Sequence, residues 1–234
     1  MSSSGSQPPL EPTPAPTPVP AAVPQAVRAT LLATEHWSLL ATRGTVWSEV
    51  MSRISIHLTV ASAALVVLAL VTQSSGFGTS FEVLSIGLSS AVLVLGTLTA
   101  VRVHNASMDD VALVVGMNRL RAAYVGMDPT LADHLVTSWH DDQAGVMRTY
   151  TMGIRPAVTH SLGSTTMFMN IVNTMVAGTL GALIANAVTA RPSVIVIVGT
   201  ISGLVYLAAT IEVARRTFAR PSIDARFPSA GTST

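Results

Sequence analysis

The stretch ISIHLTVASAALVVLALV, residues 54–71, decides the fold class of this chain. It contains no proline and no glycine, and its only ionisable side chain is that of His57. At a rise of 1.5 Å per residue, an α-helix over this stretch is about 27 Å long, close to the ~30 Å thickness of the hydrocarbon core of a bilayer. The pattern therefore predicts a transmembrane helix over 54–71.

Three more apolar segments have the length of a membrane-crossing helix. They are 83–101, about 163–189, and 194–211. The short polar turn TQSSGFGTS follows the first span, and Arg191 and Pro192 separate the last two. The predicted fold class is all-α: an integral membrane helical bundle whose four transmembrane helices form two hairpins, 54–101 and 158–214, with cytoplasmic amphipathic helices beside them.

The composition is typical of a membrane protein. Hydrophobic residues make up 49% of the 234 residues and charged residues only 11%, against about 25% charged residues in soluble domains. A net charge of +1 and few aromatic residues argue against a nucleic acid partner. Because the sequence has no cysteine, disulfides, thiolate metal sites and a cysteine nucleophile are excluded.

Residues 1–25 are rich in proline, serine and threonine. Such a segment buries too little apolar surface to offset the entropy lost on ordering, so we expect a disordered tail. Its PxxP spacing, within PTPAPTPVP, leaves open a role as a ligand for a proline-binding domain.

Residues 26–53 are predicted to form an amphipathic cytoplasmic helix. One face carries residues spaced alternately three and four apart. These are Trp37, Leu40, Gly44, Trp47, Met51 and Ile54. We expect this face to pack against another helix of the same chain. A coiled coil between copies, or a position among lipid headgroups with tryptophan as the anchor, are the alternatives.

The arginines predict the orientation of the helices. They are concentrated before the first span, between the second and third, and after the fourth, whereas the two tight turns hold only Arg191. Positively charged residues collect on the cytoplasmic side of a membrane. We therefore expect a location in the cell membrane, with both termini, the central segment 102–157 and the tail 215–234 on the cytoplasmic side.

The central segment 102–157 is predicted to be helical. No proline separates it from the second span, so that span can continue as one long helix. Asp128 and Pro129 are typical of a helix start, and a second helix is expected over TLADHLVTSWH. Asp141 and Asp142 are expected to cap a third, DQAGVMRTY.

Two strings carry a resemblance: LLATEHWSLLATRGTVWSEVMSR, residues 31–53, and MNRLRAAYVGMDPTLADHLVTSWHDDQAGVMRTY, residues 117–150. With them the chain resembles, over most of its length after the N-terminal tail, uncharacterised multi-pass membrane proteins of high-GC Gram-positive bacteria. That group has no assigned activity, so the resemblance implies a membrane fold and no catalytic residue. In architecture alone, the chain is also similar to SLATT-type bacterial membrane effectors, whose two spans lie between cytoplasmic helices and are associated with pores. This chain has four predicted spans.

The side chains best suited to metal binding or catalysis are those of His134, His140, Asp141 and Asp142. Imidazole and carboxylate groups can bind a divalent metal. The spacing argues against this, because residues six apart, such as His134 and His140, do not share a helix face. Helix capping or surface polarity is favoured. Ion pairs with arginine are a further alternative, and the candidates are Arg119, Arg121 and Arg148.

Several polar side chains lie within the predicted spans, namely His57, Asn170, Asn173 and Asn186. Polar groups in hydrocarbon need partners, so these are expected to face other helices or water, as in a pore. His57 could also respond to protons, since histidine titrates near neutral pH. Close packing of helices is the favoured interpretation for this region, because small residues let backbones approach. The small residues are Gly178, Gly181, Gly199 and Gly203.

No nucleotide-binding, nucleophile-elbow or HExxH motif occurs, so no catalytic or cofactor-binding residue is predicted. The favoured interpretation is a non-enzymatic homo-oligomeric assembly in the lipid bilayer, with a channel among the forms it can take. One alternative is a membrane scaffold that recruits a protein partner through 26–53. Another is a metal-dependent membrane enzyme that uses the group of His134, His140, Asp141 and Asp142.

Overall fold

The computed structural model describes residues 23–152, 163–189, 191–218 and 224–229, and within these ranges the chain is helical without any strand. The elements are α1 (Gln25–Ser75), α2 (Thr79–Met127), a 3₁₀-helix (Pro129–His134), α3 (Gln143–Thr151), α4 (Thr165–Val188) and α5 (Pro192–Phe218). The all-α prediction is confirmed for this part of the chain. Residues 1–22, which hold most of the segment predicted to be disordered, lie outside the described residues.

Four of the helices, α1, α2, α4 and α5, are long and apolar enough to cross a membrane, as the sequence predicted. At most 28% of the apolar window of any of them is buried within the chain. Most of the surface of these windows must therefore meet lipid or another polypeptide.

The two N-terminal helices are much longer than a membrane is thick. α1 has 51 residues and α2 has 49, so each is about 75 Å long. The two run side by side because α1 ends at Gly76, whose φ of 68° is in the left-handed region, and α2 begins at Thr79. Their ends beyond the apolar windows, together with the 3₁₀-helix, α3 and the C-terminal residues, form the helical layer (residues 25–53, 102–151 and 224–229).

The contact between α1 and α2 is apolar near the start of the first apolar window. Val50 and Ile54 of α1 pack with Val103 and Ala106 of α2. Met169, near the start of α4, belongs to the same cluster and is fully buried. The first helix pair, α1 and α2, therefore packs against the second pair, α4 and α5, at the junction between the apolar windows and the helical layer.

The face of α1 that packs inward coincides only in part with the predicted one: Trp47 and Ile54 do face α2, but three other members of the predicted face do not. Trp37 is 71% exposed, and Leu40 and Met51 are also exposed. Among the residues that face α2 instead are Leu39, which lies against the α2 cluster, and Arg43. The hydrophobic pattern of the sequence cannot identify this face, because some of its residues are polar. Those residues face α2 because they form hydrogen bonds with partners there, and not because they bury apolar area.

A buried carboxylate, that of Asp110 on α2, joins three helices of the helical layer. It accepts hydrogen bonds from Arg43 Nε (2.6 Å) and Trp47 Nε1 (2.9 Å) of α1, and from the Tyr150 hydroxyl (2.7 Å) of α3. Burial alone would raise the pKa of Asp110, but the bonds from Arg43, Tyr150 and Trp47 outweigh it and hold the pKa below its usual range. Asp110 is thus ionised at neutral pH, and both of its carboxylate oxygens accept hydrogen bonds from its neighbours.

The second helix pair, α4 and α5, packs through small residues. A Cβ on Gly199 would lie 3.0 Å from the carbonyl oxygen of Gly178, and one on Gly203 would lie 3.2 Å from that of Thr174. A Cβ on Gly181 would overlap the side chain of Ser202. Glycine at these positions allows the two backbones to approach to direct contact, as small residues do between membrane helices.

The helix expected over residues 130–140 begins where it was predicted, after Asp128, whose side chain accepts from the Thr130 N–H, but its continuation beyond His134 is not formed and that part of the prediction was wrong. Only a 3₁₀-helix occurs, over Pro129–His134, and an irregular segment follows up to Asp142. Tertiary hydrogen bonds override the helical propensity there: for example, Asn118 Nδ2 of α2 donates to the carbonyl oxygen of His140 (2.7 Å). Of the two aspartates expected to cap the next helix, Asp142 does so, because its side chain accepts from the Gly145 N–H (2.7 Å) at the start of α3. The Asp141 carboxylate instead accepts from Arg119.

We expect Asp110→Asn to lower the free energy of unfolding by about 2–3 kcal/mol, because it removes a buried charge that pairs with Arg43. This is less than for a fully buried pair, since the Arg43 side chain is 32% exposed. Denaturant-induced unfolding in detergent micelles measures the change. The matched control is Asp109→Asn, whose side chain is 60% exposed, with an expected change within about 0.5 kcal/mol. Equal effects at both positions would contradict the proposed weight of Asp110.

Candidate functional site

A cluster of polar side chains lies between three of the apolar helices, within the part of α1 predicted to cross the membrane. It consists of His57 on α1 and Asn173 on α4, which face Gly96 on α2. His57 is 2% exposed and Asn173 is fully buried. A Cβ on Gly96 would overlap the Asn173 side-chain oxygen and lie 2.8 Å from His57 Cε1. Only glycine on α2 leaves room for both side chains.

The polar atoms of this cluster lack hydrogen-bond partners. Within the part of the chain that the structure describes, neither ring nitrogen of His57 and neither amide atom of Asn173 has a partner. An unpartnered polar group in an apolar medium costs several kcal/mol. Contact with water or with another polar group would therefore lower the free energy of the cluster.

A groove of about 400 Å³ lies beside the cluster, between α2, α4 and α5. Its lining combines apolar side chains with hydroxyl, amide and imidazole groups. The polar lining residues are Thr97, His104, Asn105, Thr166, Asn170, Tyr206, Thr210 and Thr217. Thr97 follows Gly96 in α2, and Asn170 is one turn before Asn173 in α4. His57, Gly96 and Asn173 do not themselves line the groove, but its lining comes within one helical turn of the cluster along α2 and α4.

Three of the four polar span residues singled out in the sequence are thus close to one another: His57 and Asn173 in the cluster and Asn170 in the groove. Asn186 is exposed near the other end of α4 and takes no part. Gly96 could not be assigned from the sequence, because nothing in α2 indicates which side chains of α1 and α4 it faces.

A second polar site lies in the helical layer, where Asp141 and Asp142 hold the C-terminal segment (residues 224–229). The Asp141 carboxylate is fully buried and accepts the backbone N–H groups of Arg226 (2.9 Å) and Phe227 (2.7 Å). Asp142 accepts the backbone N–H of Ser229 (2.8 Å) and also the Ser229 hydroxyl. Nothing in the sequence indicates this contact, which joins residues more than eighty positions apart.

Arg119 of α2 completes the second site. Its Nε donates to Asp141 (2.7 Å), and its Nη2 donates to the carbonyl oxygen of Asp224 (2.6 Å). Burial alone would raise the pKa of Asp141, but the bonds from Arg119 and from the N–H groups of Arg226 and Phe227 hold it below its usual range. The ion pair with Arg119 is one of the alternatives that the sequence left open.

The four residues considered as metal ligands do not converge. His134 is exposed on the 3₁₀-helix, while a ring nitrogen of His140 lies 3.3 Å from the carbonyl oxygen of Phe227. Both oxygens of Asp141 and both oxygens of Asp142 accept hydrogen bonds from the chain. In the described ranges, no group of three or more histidine, aspartate or glutamate side chains could hold a metal ion.

No protein-family model, no curated protein and no solved structure matches this chain. The resemblance noted in the sequence stays an expectation, and function has to be argued from the two polar sites themselves.

We expect Gly96→Ala to lower the free energy of unfolding by about 1–3 kcal/mol, because the added methyl group overlaps Asn173 and forces α2 and α4 apart. The matched control is Gly87→Ala in the same helix, where a Cβ meets nothing within 4 Å and no loss is expected. Thermal unfolding in detergent, followed by circular dichroism, compares the two. Equal loss in both variants would contradict the role of the close contact at Gly96, because alanine by itself favours a helix more than glycine does.

Acid should weaken the helical layer. The folded-state pKa values of Asp110 and Asp141 are held below the unfolded value of about 3.9, so their contribution is complete above that pH and is lost as the pH falls through the folded values. We expect the unfolding temperature to be nearly constant from pH 7 to about pH 5 and to fall below about pH 4. The fall should be smaller in Asp141→Asn and unchanged in the control Asp133→Asn, whose side chain is exposed.

Proposed function

We propose that this chain is a multi-pass membrane protein that assembles with copies of itself and provides a channel-like route for a small polar solute or ion. The four membrane-length helices form two hairpins in the cell membrane, and the helical layer is cytoplasmic. The distribution of arginine supports this orientation. Arginine is concentrated in the segments of the helical layer and is nearly absent from the turns at 76–78 and 189–191.

The observation that carries the proposal is the unpartnered pair of His57 and Asn173 beside Gly96. Three helices meet there without leaving room for a permeating molecule, and this close contact supports a closed state of the proposed channel. Separation of the helices by a few ångströms would admit water and give these polar atoms partners. The free energy gained by hydrating them favours opening, and the close contact at Gly96 favours closure. Such a balance is what a gate requires.

The groove supplies an entrance to this gate from the cytoplasmic side. Its polar lining extends from Thr217 at the end of α5 to Asn170 beside the cluster. Among the described residues that line the groove, none carries a carboxylate, guanidinium or ammonium group. Rings of charged side chains select for ions of the opposite sign, so a lining without them suits a small polar solute or weak selection among ions.

Assembly with further copies is supported by the surfaces that a single chain leaves uncovered. At most 28% of each apolar window is buried within the chain. In the helical layer, α1 exposes Trp37, Leu40 and Met51 on one face. The same exposed face favours a second candidate function, a scaffold that recruits a partner protein through 26–53. The scaffold needs no route through the membrane, so measurement of flux distinguishes the two.

We expect liposomes that contain the purified protein to pass a small polar solute or ion, and Asn173→Leu to reduce that flux about tenfold. The amide contributes about 1–2 kcal/mol to a polar contact in the membrane, which corresponds to about a tenfold change in rate. The matched control is Asn186→Leu, an exposed amide of the same helix, for which no change is expected.

Two results would count against the proposal. Absence of flux in every assembly state, as determined by native mass spectrometry in detergent, would exclude a channel and leave the scaffold. Flux that is equally reduced in both asparagine variants would remove the His57–Asn173 cluster from the route.

A further inference from the structure

The C-terminal segment, residues 224–229, is held on the helical layer by its backbone. Arg226 and Phe227 donate their N–H groups to Asp141, and the carbonyl oxygen of Phe227 accepts from the Asp141 N–H (3.3 Å). Ser229 donates its N–H to Asp142. Backbone groups are common to all peptides, so most of this contact does not depend on the side chains of the segment.

Apolar burial contributes little to the contact. The side chains of Arg226 and Phe227 are exposed, and Pro228 is exposed as well. A segment held mainly by polar groups at the surface opens locally far more readily than one anchored in an apolar core. The C-terminal segment is therefore suited to reversible docking.

One side chain of the segment makes a contact that depends on its chemistry. The Ser229 hydroxyl donates a hydrogen bond to Asp142 Oδ2, next to the bond from its own N–H. Asp142 also accepts the Gly145 N–H at the start of α3, so the positive end of that helix is already capped. A second negative group at position 229 would lie beside the carboxylate of Asp142, and the two like charges would repel each other.

We propose that Asp141 and Asp142 form a peptide-binding site whose built-in ligand is the C-terminal segment, and that phosphorylation of Ser229 releases it. A kinase would transfer the γ-phosphoryl group of ATP to Ser229 Oγ. The Oγ–P bond forms, the bond from that phosphorus to the leaving ADP oxygen breaks, and the hydroxyl proton passes to a base of the kinase. The phosphoserine has lost the hydroxyl donor and brings a charge of about −1.5 to −2 beside Asp142.

Release would uncouple two parts of the molecule. Arg119 on α2 and Asp142 at the start of α3 hold the C-terminal segment, which follows α5 in the chain. Docking therefore connects the second helix pair to the first through the helical layer, in addition to their direct contact at Met169. The modification rests on the cytoplasmic orientation proposed above, because ATP is available there. The docking itself does not depend on channel activity.

Distances between spin labels on the intact chain in nanodiscs test the proposal. The sequence contains no cysteine, so Val136→Cys and Pro228→Cys, both at exposed positions, provide the only labelling sites. Docked chains should give one narrow distance distribution, and released chains a broad one. We expect phosphoserine or Ser229→Asp to reduce the ratio of docked to released chains about tenfold.

The matched control is Ser229→Asn, which has the size of aspartate without its charge and should remain docked within about twofold of wild type. A further variant combines Ser229→Asp with Asp142→Asn. Asparagine also caps helices well, so α3 should persist while the repulsion disappears and docking returns. The proposal is overturned if Ser229→Asp stays docked, if Ser229→Asn is released equally, or if the combined variant stays released. Flux is not measured here, so failure of the channel proposal would leave this result unaffected.

Discussion

The bond between Arg43 and Asp110 sets the register on which the rest of the structure depends. His57 lies fourteen residues after Arg43, and Gly96 lies fourteen residues before Asp110. Fourteen residues are close to four complete turns, so each of these pairs lies on one face of its helix. Because α1 and α2 run in opposite directions, pairing Arg43 with Asp110 places His57 opposite Gly96. The packing of Val50 with Val103, seven residues from each pair, agrees with this register. An ion pair in the helical layer thereby determines which side chains meet inside the apolar region.

Apolar contacts alone would specify this register weakly. The facing surfaces of α1 and α2 consist largely of valine, alanine and leucine, and a shift by one turn would replace one such contact with another. The Asp110 carboxylate accepts from Arg43, Trp47 and Tyr150, and a shifted register would leave it buried without these donors. The cost of an uncompensated buried charge then excludes the alternatives. The same carboxylate also holds α3 on α2, because the Tyr150 hydroxyl donates to it.

Asp110 and Asp141 have the same kind of hydrogen-bonding environment but stabilise different parts of the structure. Each is a buried carboxylate saturated by an arginine and by further N–H or O–H donors. Asp110 joins helices whose side chains pack closely around it, whereas Asp141 holds a short segment whose own side chains are exposed. The first contact is therefore part of the packed structure, and the second is the one suited to opening. Coupling between the C-terminal segment and the proposed gate at Gly96 would pass along α2, which carries Gly96, Asp110 and Arg119 in one continuous helix.

The sequence by itself determined the class of structure. Long apolar stretches such as 54–71 can satisfy their backbone groups in a membrane only as helices, and the cap at Asp142 followed from local chemistry. The tertiary structure decided which face of α1 packs inward and made the segment before Asp142 irregular. It also decided that His57 and Asn173 meet across Gly96. These features depend on partners such as Asp110, Asn118 and Phe227, which are distant along the chain. Periodicity and capping patterns report on neighbours within a few residues, whereas hydrogen bonds between distant residues select the register and the site.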